Sequence, residues 1–407
     1  LDLAKKTGAT IVYGPNANTV FDCYNATDNE EFKIGNITLK ALHTPGHTLE
    51  SVTYLLIDEN GKNHAIFTGD TLFLGDVGRP DLAIKSGLTE KDLAGMLFKS
   101  LRTKIMTLDD AVIVYPAHGA GSACGKNLSK ETVGTVGGQK NTNYALRANM
   151  TKDEFVKEVL DGIGKAPQYF SKNAKLNQSG YSELDEILEK SNTPLSVSEF
   201  ESLTADTNTL VLDVRTQKDF IESHIPGSLF IGLNGEFAPW VGALICNIKH
   251  PMALVVPEGK SEEAITRLAR VGYDSAIGYL KGGMEAWIAA GKTSDQLTSI
   301  SSSKFEQRTK KEVLSVLDVR KEGEYDTMHL KLDGLQHLSL DQINHRLDQI
   351  DTKKTYYIHC AGGYRSVIAA SILKANGFHN VIDIAGGFAA IKKTDLSLSK
   401  SICPSTL

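Results

Sequence analysis

Along the first 120 residues, short apolar runs break off at polar turns. Thr10-Ile11-Val12-Tyr13 and Ile37-Thr38-Leu39-Lys40-Ala41-Leu42 read as strands, and the second runs straight into His43-Thr44-Pro45-Gly46-His47-Thr48. Ala65-Ile66-Phe67-Thr68 is an apolar strand that ends on Gly69-Asp70, and Ala111-Val112-Ile113-Val114-Tyr115 ends on Pro116-Ala117-His118. Helical periodicity follows in Asn143-Tyr144-Ala145-Leu146-Arg147 and over 152–160, with Thr151 or Asp153 as a cap for the latter. Residues 127–195 carry no legible chemistry and read as the close of a first domain. Arg147 and Lys126 read as solvated charge, with contact to a thiol cofactor's carboxylates or phosphates as the other reading, and 173–191 reads as a linker.

The remainder repeats itself. Val211-Leu212-Asp213-Val214-Arg215 recurs as Val316-Leu317-Asp318-Val319-Arg320, and Tyr279-Leu280-Lys281-Gly282-Gly283 as Asp383-Ile384-Ala385-Gly386-Gly387. The spacing of about 105 residues is one small α/β domain per copy. Strands set between helices predict parallel sheets covered on both faces.

The second copy contains a β-prone run, Tyr356-Tyr357-Ile358-His359, that delivers Cys360 into the loop Ala361-Gly362-Gly363-Tyr364-Arg365-Ser366. An amphipathic helix is expected from Val367 onward. Backbone N–H groups turned toward the sulfur and a helix N-terminus favour a thiolate or a persulfide anion. Gly362 and Gly363 are expected to take positive φ for that purpose. The register of the first copy sets Val256-Pro257 against Cys360, so that copy cannot carry sulfur, and Pro257 also lacks an N–H. Cys246 reads as core there, His224 in Ser223-His224-Ile225-Pro226-Gly227 as structural, and Asp318 as a brace of its sheet.

In the first domain, His47, Asp70 and His118 each lie just past the C-terminal end of a strand. Neighbouring strands would converge them on one metal, and imidazole with carboxylate suits Zn, Fe(II) or Mn. His43 reads as structural.

Composition narrows the classes. The chain has 407 residues, room for two or three domains, and a net charge of −5 without a Lys/Arg-rich run. That balance argues against nucleic acid or an anionic membrane as partner. No apolar run spans a membrane and no signal-peptide pattern is present. Five scattered cysteines, without CxxC pairs, point to a reducing compartment, the cytoplasm.

The loop Cys360-x-x-x-x-Arg365 resembles the active loop of the rhodanese sulfurtransferases. The phosphatase relatives of that fold have one residue more between Cys and Arg. The resemblance implies Cys360 and Arg365 as catalytic residues, with Ala361, Gly362, Gly363, Tyr364 and Ser366 lining the substrate sulfur. Residues 195–293 would then be an inactive rhodanese-like domain and 305–395 an active one.

His43-Thr44-Pro45-Gly46-His47-Thr48, Thr68-Gly69-Asp70-Thr71 and Tyr115-Pro116-Ala117-His118 resemble the metallo-β-lactamase superfamily, an αββα sandwich, over residues 1–190. Gly75-Asp76-Val77-Gly78-Arg79-Pro80-Asp81 and the run from Tyr115 to Lys126 are similar to its persulfide dioxygenase branch. That branch holds one Fe(II). It implies His47 and Asp70 as ligands, His118 beside the metal, and Arg79 orienting substrate rather than only pairing with Asp81. Its His-x-His-x-Asp-His cluster, expected shortly before Leu1, is not in this sequence. The sandwich is therefore expected to be N-terminally incomplete, and the chain as it stands to be a poor dioxygenase.

The order of domains resembles the persulfide dioxygenase–sulfurtransferase fusions of bacterial sulfide detoxification. It implies O2-dependent oxidation of a glutathione or coenzyme A type persulfide to sulfite. Sulfur transfer through Cys360 between persulfide and sulfite or thiosulfate would be coupled to it, and because homo-oligomers are common among such fusions the resemblance also points to a homo-oligomer. Two other readings stand beside it: a dinuclear-zinc thioester hydrolase of the glyoxalase II kind, and a sulfurtransferase or scaffold with an inert first domain.

Overall fold

The computed structural model describes residues 1–82, 87–120, 122, 124–126, 128–163, 170–205 and 208–399. The chain forms two compact units, Leu1–Tyr181 and Ser182–Leu407.

In the first unit a six-stranded sheet runs in the order Glu31–Ile34, Ile37–His43, Val52–Ile57, Asn63–Gly69, Ile113–Pro116, Gly134–Thr135. Neighbours are antiparallel except Asn63–Gly69 and Ile113–Pro116, which run parallel with Gly69 opposite Pro116. Val12–Tyr13 and Tyr24–Asn25 form a separate parallel pair. The helices Glu90–Ser100 and Lys152–Leu160 both open with a capping box, Thr89 with Asp92 and Thr151 with Glu154. Thr151, not Asp153, is thus the cap, a feature worth about 1 kcal/mol. Leu97, Leu101, Phe155 and Val159 from these helices enclose a core with Leu42, Leu55, Ile66 and Val114 of the sheet. This core fixes the strand ends from which the polar turns project.

The second unit holds the repeat as two parallel five-stranded sheets of identical order. One runs Leu229–Phe230, Leu210–Asp213, Met252–Val255, Ala276–Leu280, Pro194–Leu195; the other runs Leu335–His337, Ser315–Asp318, Tyr356–His359, Val381–Ile384, Thr298–Ile300. The repeated Asp-Val-Arg has a local cause. Buried Asp213 and Asp318 each accept a fork of bonds from the arginine two residues on, Arg215 at 2.7 Å and Arg320 at 2.9 Å by their closest and Nε contacts. His224 is buried, with Nδ1 bonded to the Phe220 carbonyl at 2.8 Å and its ring stacked on Phe220. Both residues are structural, as expected.

Three expectations are corrected. Residues 173–191 are not a linker: they fall in the helices Phe170–Ser179 and Leu184–Ser191, and Ile187 enters the core of the second unit. Cys246 is exposed rather than in the core, because it follows the end of the Phe237–Leu244 helix where the chain turns outward. The helix after the cysteine loop, Tyr364–Ala375, is not amphipathic, since every residue from Ser366 to Leu373 is buried. A helix apolar all round is a buried helix.

The first repeat accounts for that burial. One apolar core takes in Leu212, Phe230 and Leu254 of the first repeat and Ile358, Val367 and Ile372 of the second. The Phe230 N–H bonds to Ser371 Oγ at 3.0 Å, and the Tyr364 hydroxyl donates to the Gly232 carbonyl at 2.7 Å. Gly235 lies flat against the Tyr364 ring, where a Cβ would stand 2.3 Å from Cζ. Gly235→Ala is therefore expected to cost about 1–3 kcal/mol through overpacking. Urea titration of the whole chain measures this, and an unchanged midpoint would show that the ring moves aside freely.

Candidate metal centre and cysteine loop

Strand pairing brings the first-unit donors together. Asp70 and His118 follow the C-terminal ends of two parallel neighbours, and His47 follows Ile37–His43. His47 Nε2 lies 3.3 Å from Asp70 Oδ2, and His118 Nε2 lies 3.3 Å from Asp70 Oδ1. His47 Nδ1 is 2.9 Å from the Arg79 carbonyl, an N–H donation that leaves Nε2 directed at Asp70. Close approach of these turns requires Gly78, whose Cβ would stand 1.8 Å from the Asp70 carbonyl oxygen. The Thr44 hydroxyl ties the two turns together, at 2.9 Å from Thr71 Oγ1 and 3.1 Å from Thr53 Oγ1.

Cys124 joins this group and was not singled out in the sequence. One donor atom each from Asp70, His118 and Cys124 lie within 4.8 Å of one another. Its only sequence signal is its place six residues after His118, in a loop whose neighbours Gly121 and Ala123 lie outside the described residues. The loop is fastened from both sides: the Arg79 N–H bonds to the Cys124 carbonyl at 3.1 Å, and buried Asp76 accepts from the Lys126 N–H at 2.5 Å and the Tyr144 hydroxyl at 2.9 Å.

Electrostatics favour a cation here. Burial pushes the Asp70 carboxyl up, but hydrogen bonding to His118, the two histidines and Cys124 bring it below the ordinary range. The same Asp70 bond, with Cys124, holds the His118 imidazolium up to about 10 against burial. A proton on His118 thus occupies the place that a metal would take, and metal binding releases it. A carboxylate, an imidazole and a thiol gathered within 4.8 Å, with a second imidazole on the other oxygen of that carboxylate, fit a transition metal such as Fe(II) or Zn.

Two further first-unit residues hold bonds close to their own turns. Arg79 is buried and grips Asp81 with two bonds of 2.7 Å. His43 Nε2 is 2.8 Å from the Leu49 carbonyl, turned to its own turn.

In the second unit, Cys360 follows the central strand Tyr356–His359 and is 1% exposed. The Gly363 N–H donates to its sulfur at 3.1 Å. Gly363 takes φ 101°, but Gly362 does not take positive φ, so a single glycine turns the loop. Arg365 is held by Glu324 through bonds of 2.6 and 2.9 Å and lies close enough to Cys360 to act on it electrostatically. Ser366 Oγ is 3.6 Å from the sulfur. Tyr364 directs its hydroxyl to Gly232 rather than over the cysteine, and burial pushes its phenol up. Ala361 and Gly362 form the open side of the loop, where Gly362 has free space around its Cα. In the first repeat the same strand end carries Val256-Pro257 and no nucleophile.

The rhodanese-like domain family matches residues 196–290 and 301–394, which hold four of the five strands of each parallel sheet. A solved structure described as a metallo-beta-lactamase from Staphylococcus aureus subsp. aureus COL is 30% identical with a TM-score of 0.58, covering 69% of this chain and 79% of that one. Among curated proteins, "Glyoxylase B2" of Dictyostelium discoideum is 32% identical over 153 residues, 37% of this chain and 48% of that protein. A probable hydroxyacylglutathione hydrolase of Schizosaccharomyces pombe is 30% identical over 128 residues, 30% of this chain and 46% of that protein. The chain spans about half the length of these curated relatives. With the metal donors on its first unit and the repeat on its second, the chain belongs to the metallo-β-lactamase-fold proteins and carries two rhodanese-like domains.

Proposed function

We propose that this protein oxidises small-thiol persulfides with O2 at the first-unit metal centre and moves sulfane sulfur through Cys360. The observation that carries the reading is a nucleophile with its sulfur bonded to a loop N–H in a rhodanese-like domain, on the same chain as a His/Asp/His convergence. A metal held by His47, Asp70 and His118 would supply Lewis-acid and redox chemistry at that point. The chain's own part is to fix His47 through the Arg79 carbonyl and to keep Asp70 ionised beside both imidazoles. Overall, a persulfide, O2 and water become the free thiol, sulfite and two protons.

At Cys360 the thiolate attacks the outer sulfur of a donor. An S–S bond forms on Cys360 while the donor's S–S bond breaks and its remaining part leaves with the electron pair. Sulfite then takes the outer sulfur as thiosulfate and returns the thiolate. The Gly363 N–H and Arg365 offset negative charge on the sulfur throughout.

The named glyoxalase-type relatives favour a second reading, a dinuclear-zinc thioester hydrolase. A sulfurtransferase with an inert first unit is the third. Metal analysis with two parallel assays separates them. Where the ligand set of the first unit is complete, about one iron per chain with O2 uptake on glutathione persulfide is expected. Zinc with hydrolysis of a glutathione thioester, or little metal with Cys360 activity alone, would replace the proposal. No helix among the described residues is long and apolar enough to cross a membrane. Cys23, Cys124, Cys246 and Cys360 are free thiols, which supports a reducing, cytoplasmic setting.

A further inference from the structure

Behind the Cys360 loop lies a buried carboxyl that the sulfur-transfer chemistry above does not use. Asp383 is 2% exposed and sits on the Val381–Ile384 strand, paired in register with Ile358 on one side and Ser299 on the other. Its Oδ1 accepts from the Ser366 hydroxyl at 2.7 Å, and its Oδ2 accepts from the Ser299 hydroxyl at 2.7 Å. The Cys360 thiol in turn points at Ser366 Oγ, 3.6 Å away. Thiol, serine and carboxylate therefore form one directed chain of hydrogen bonds.

The two repeats supply an internal control. Strand register places Val255 where His359 lies, and so Val256 where Cys360 lies. Counting on from there, Glu262 takes the place of Ser366, and the Gly-Gly alignment puts Tyr279 in the place of Asp383. Tyr279 pairs with Pro194 as Asp383 pairs with Ser299. All four members are thus replaced in the copy without a nucleophile. The Asp-x-Arg brace, which serves the sheet alone, is present in both copies. The first repeat builds the same sheet without an acid at this position, so the fold itself does not call for Asp383.

We propose that Asp383 is the proton acceptor for Cys360, acting through Ser366. The proton leaves Sγ for Ser366 Oγ as the serine's own proton passes to Asp383 Oδ1. The products are a thiolate, an unchanged serine and a carboxylic acid. Net charge is conserved while the negative charge moves out of a buried pocket to the loop, where the Gly363 N–H and Arg365 receive it. Burial already pushes the Asp383 carboxyl up against the pull of its two serines, which suits an acceptor. The other groups that face this site are Arg365 with Glu324, Glu236 of the first repeat acting on Arg365, and buried His359 with Asp318 and Arg320. His359 turns Nδ1 to the Cys360 carbonyl, not to its sulfur.

The inference rests on the sulfur-transfer reading but is tested without turnover. Iodoacetamide labelling of the whole chain is followed across pH by mass spectrometry of the peptide that carries Cys360. Asp383→Asn is expected to slow labelling about tenfold at neutral pH, because the thiol's proton then has no carboxylate to accept it as the sulfur attacks. Ser366→Ala, which breaks the same chain from the other end, is expected to match it. A thermal scan accompanies each variant. A lower melting temperature with an unmoved labelling profile would make Asp383 a purely structural tie and overturn the proposal. If Asp383→Asn does not fold, an unmoved profile in Ser366→Ala overturns it equally. Loss of the sulfur-transfer reading would show instead as full turnover in Cys360→Ser.

Discussion

Cys360→Ser is expected to lower thiosulfate-dependent sulfur transfer by about a thousandfold or more, because a serine hydroxyl at neutral pH is neither ionised nor able to carry sulfane sulfur. The wild-type peptide containing Cys360 should gain one sulfur atom on exposure to thiosulfate, and the variant peptide should gain none. Metal content and the first-unit fold should not change, since Cys360 lies in the other compact unit. Sulfur found on Cys23, Cys124 or Cys246 instead, with activity kept in the variant, would move the transfer site away from the loop.

Asp70→Ala is the second large effect. Asp70 is the only carboxylate that faces both His47 and His118 among the described residues, at 3.3 Å from each. Its loss removes the anionic donor and the charge that organises both imidazoles. Bound metal is expected to fall at least about tenfold, with oxidation of persulfide falling alongside it. Sulfur transfer through Cys360 should stay at the wild-type level. Full metal content in Asp70→Ala would show that the centre is built from other donors.

Much of this was legible before any coordinates. The strand-then-polar-turn pattern placed His47, Asp70 and His118 at three strand ends, and parallel pairing of two of those strands brings them together. The repeat was legible because Asp-Val-Arg and Gly-Gly mark fixed points of a sheet, and both sheets have the same strand order. What escaped depends on the surroundings rather than on local pattern. Tyr364–Ala375 reads as one-sided until the first repeat covers its other face through Phe230 and Gly232. Cys124 enters the metal site because a loop fastened by Asp76 folds back, which no spacing announces. Asp383 enters the sequence reading only as one end of a repeated segment, and its neighbours across the sheet and on the helix reveal its bonds. Residues 184–191 were missed although Leu184, Ile187 and Leu188 have helical spacing, because the polar residues around them resemble a linker.

The most direct test of the account is product analysis after glutathione persulfide and O2 are given to the wild-type chain and to Cys360→Ser. The account predicts thiosulfate from the wild type and sulfite from the variant, with one O2 consumed per two persulfides in the wild type and one per persulfide in the variant. Sulfur products without O2 consumption, or none in either protein while a glutathione thioester is hydrolysed, would contradict it.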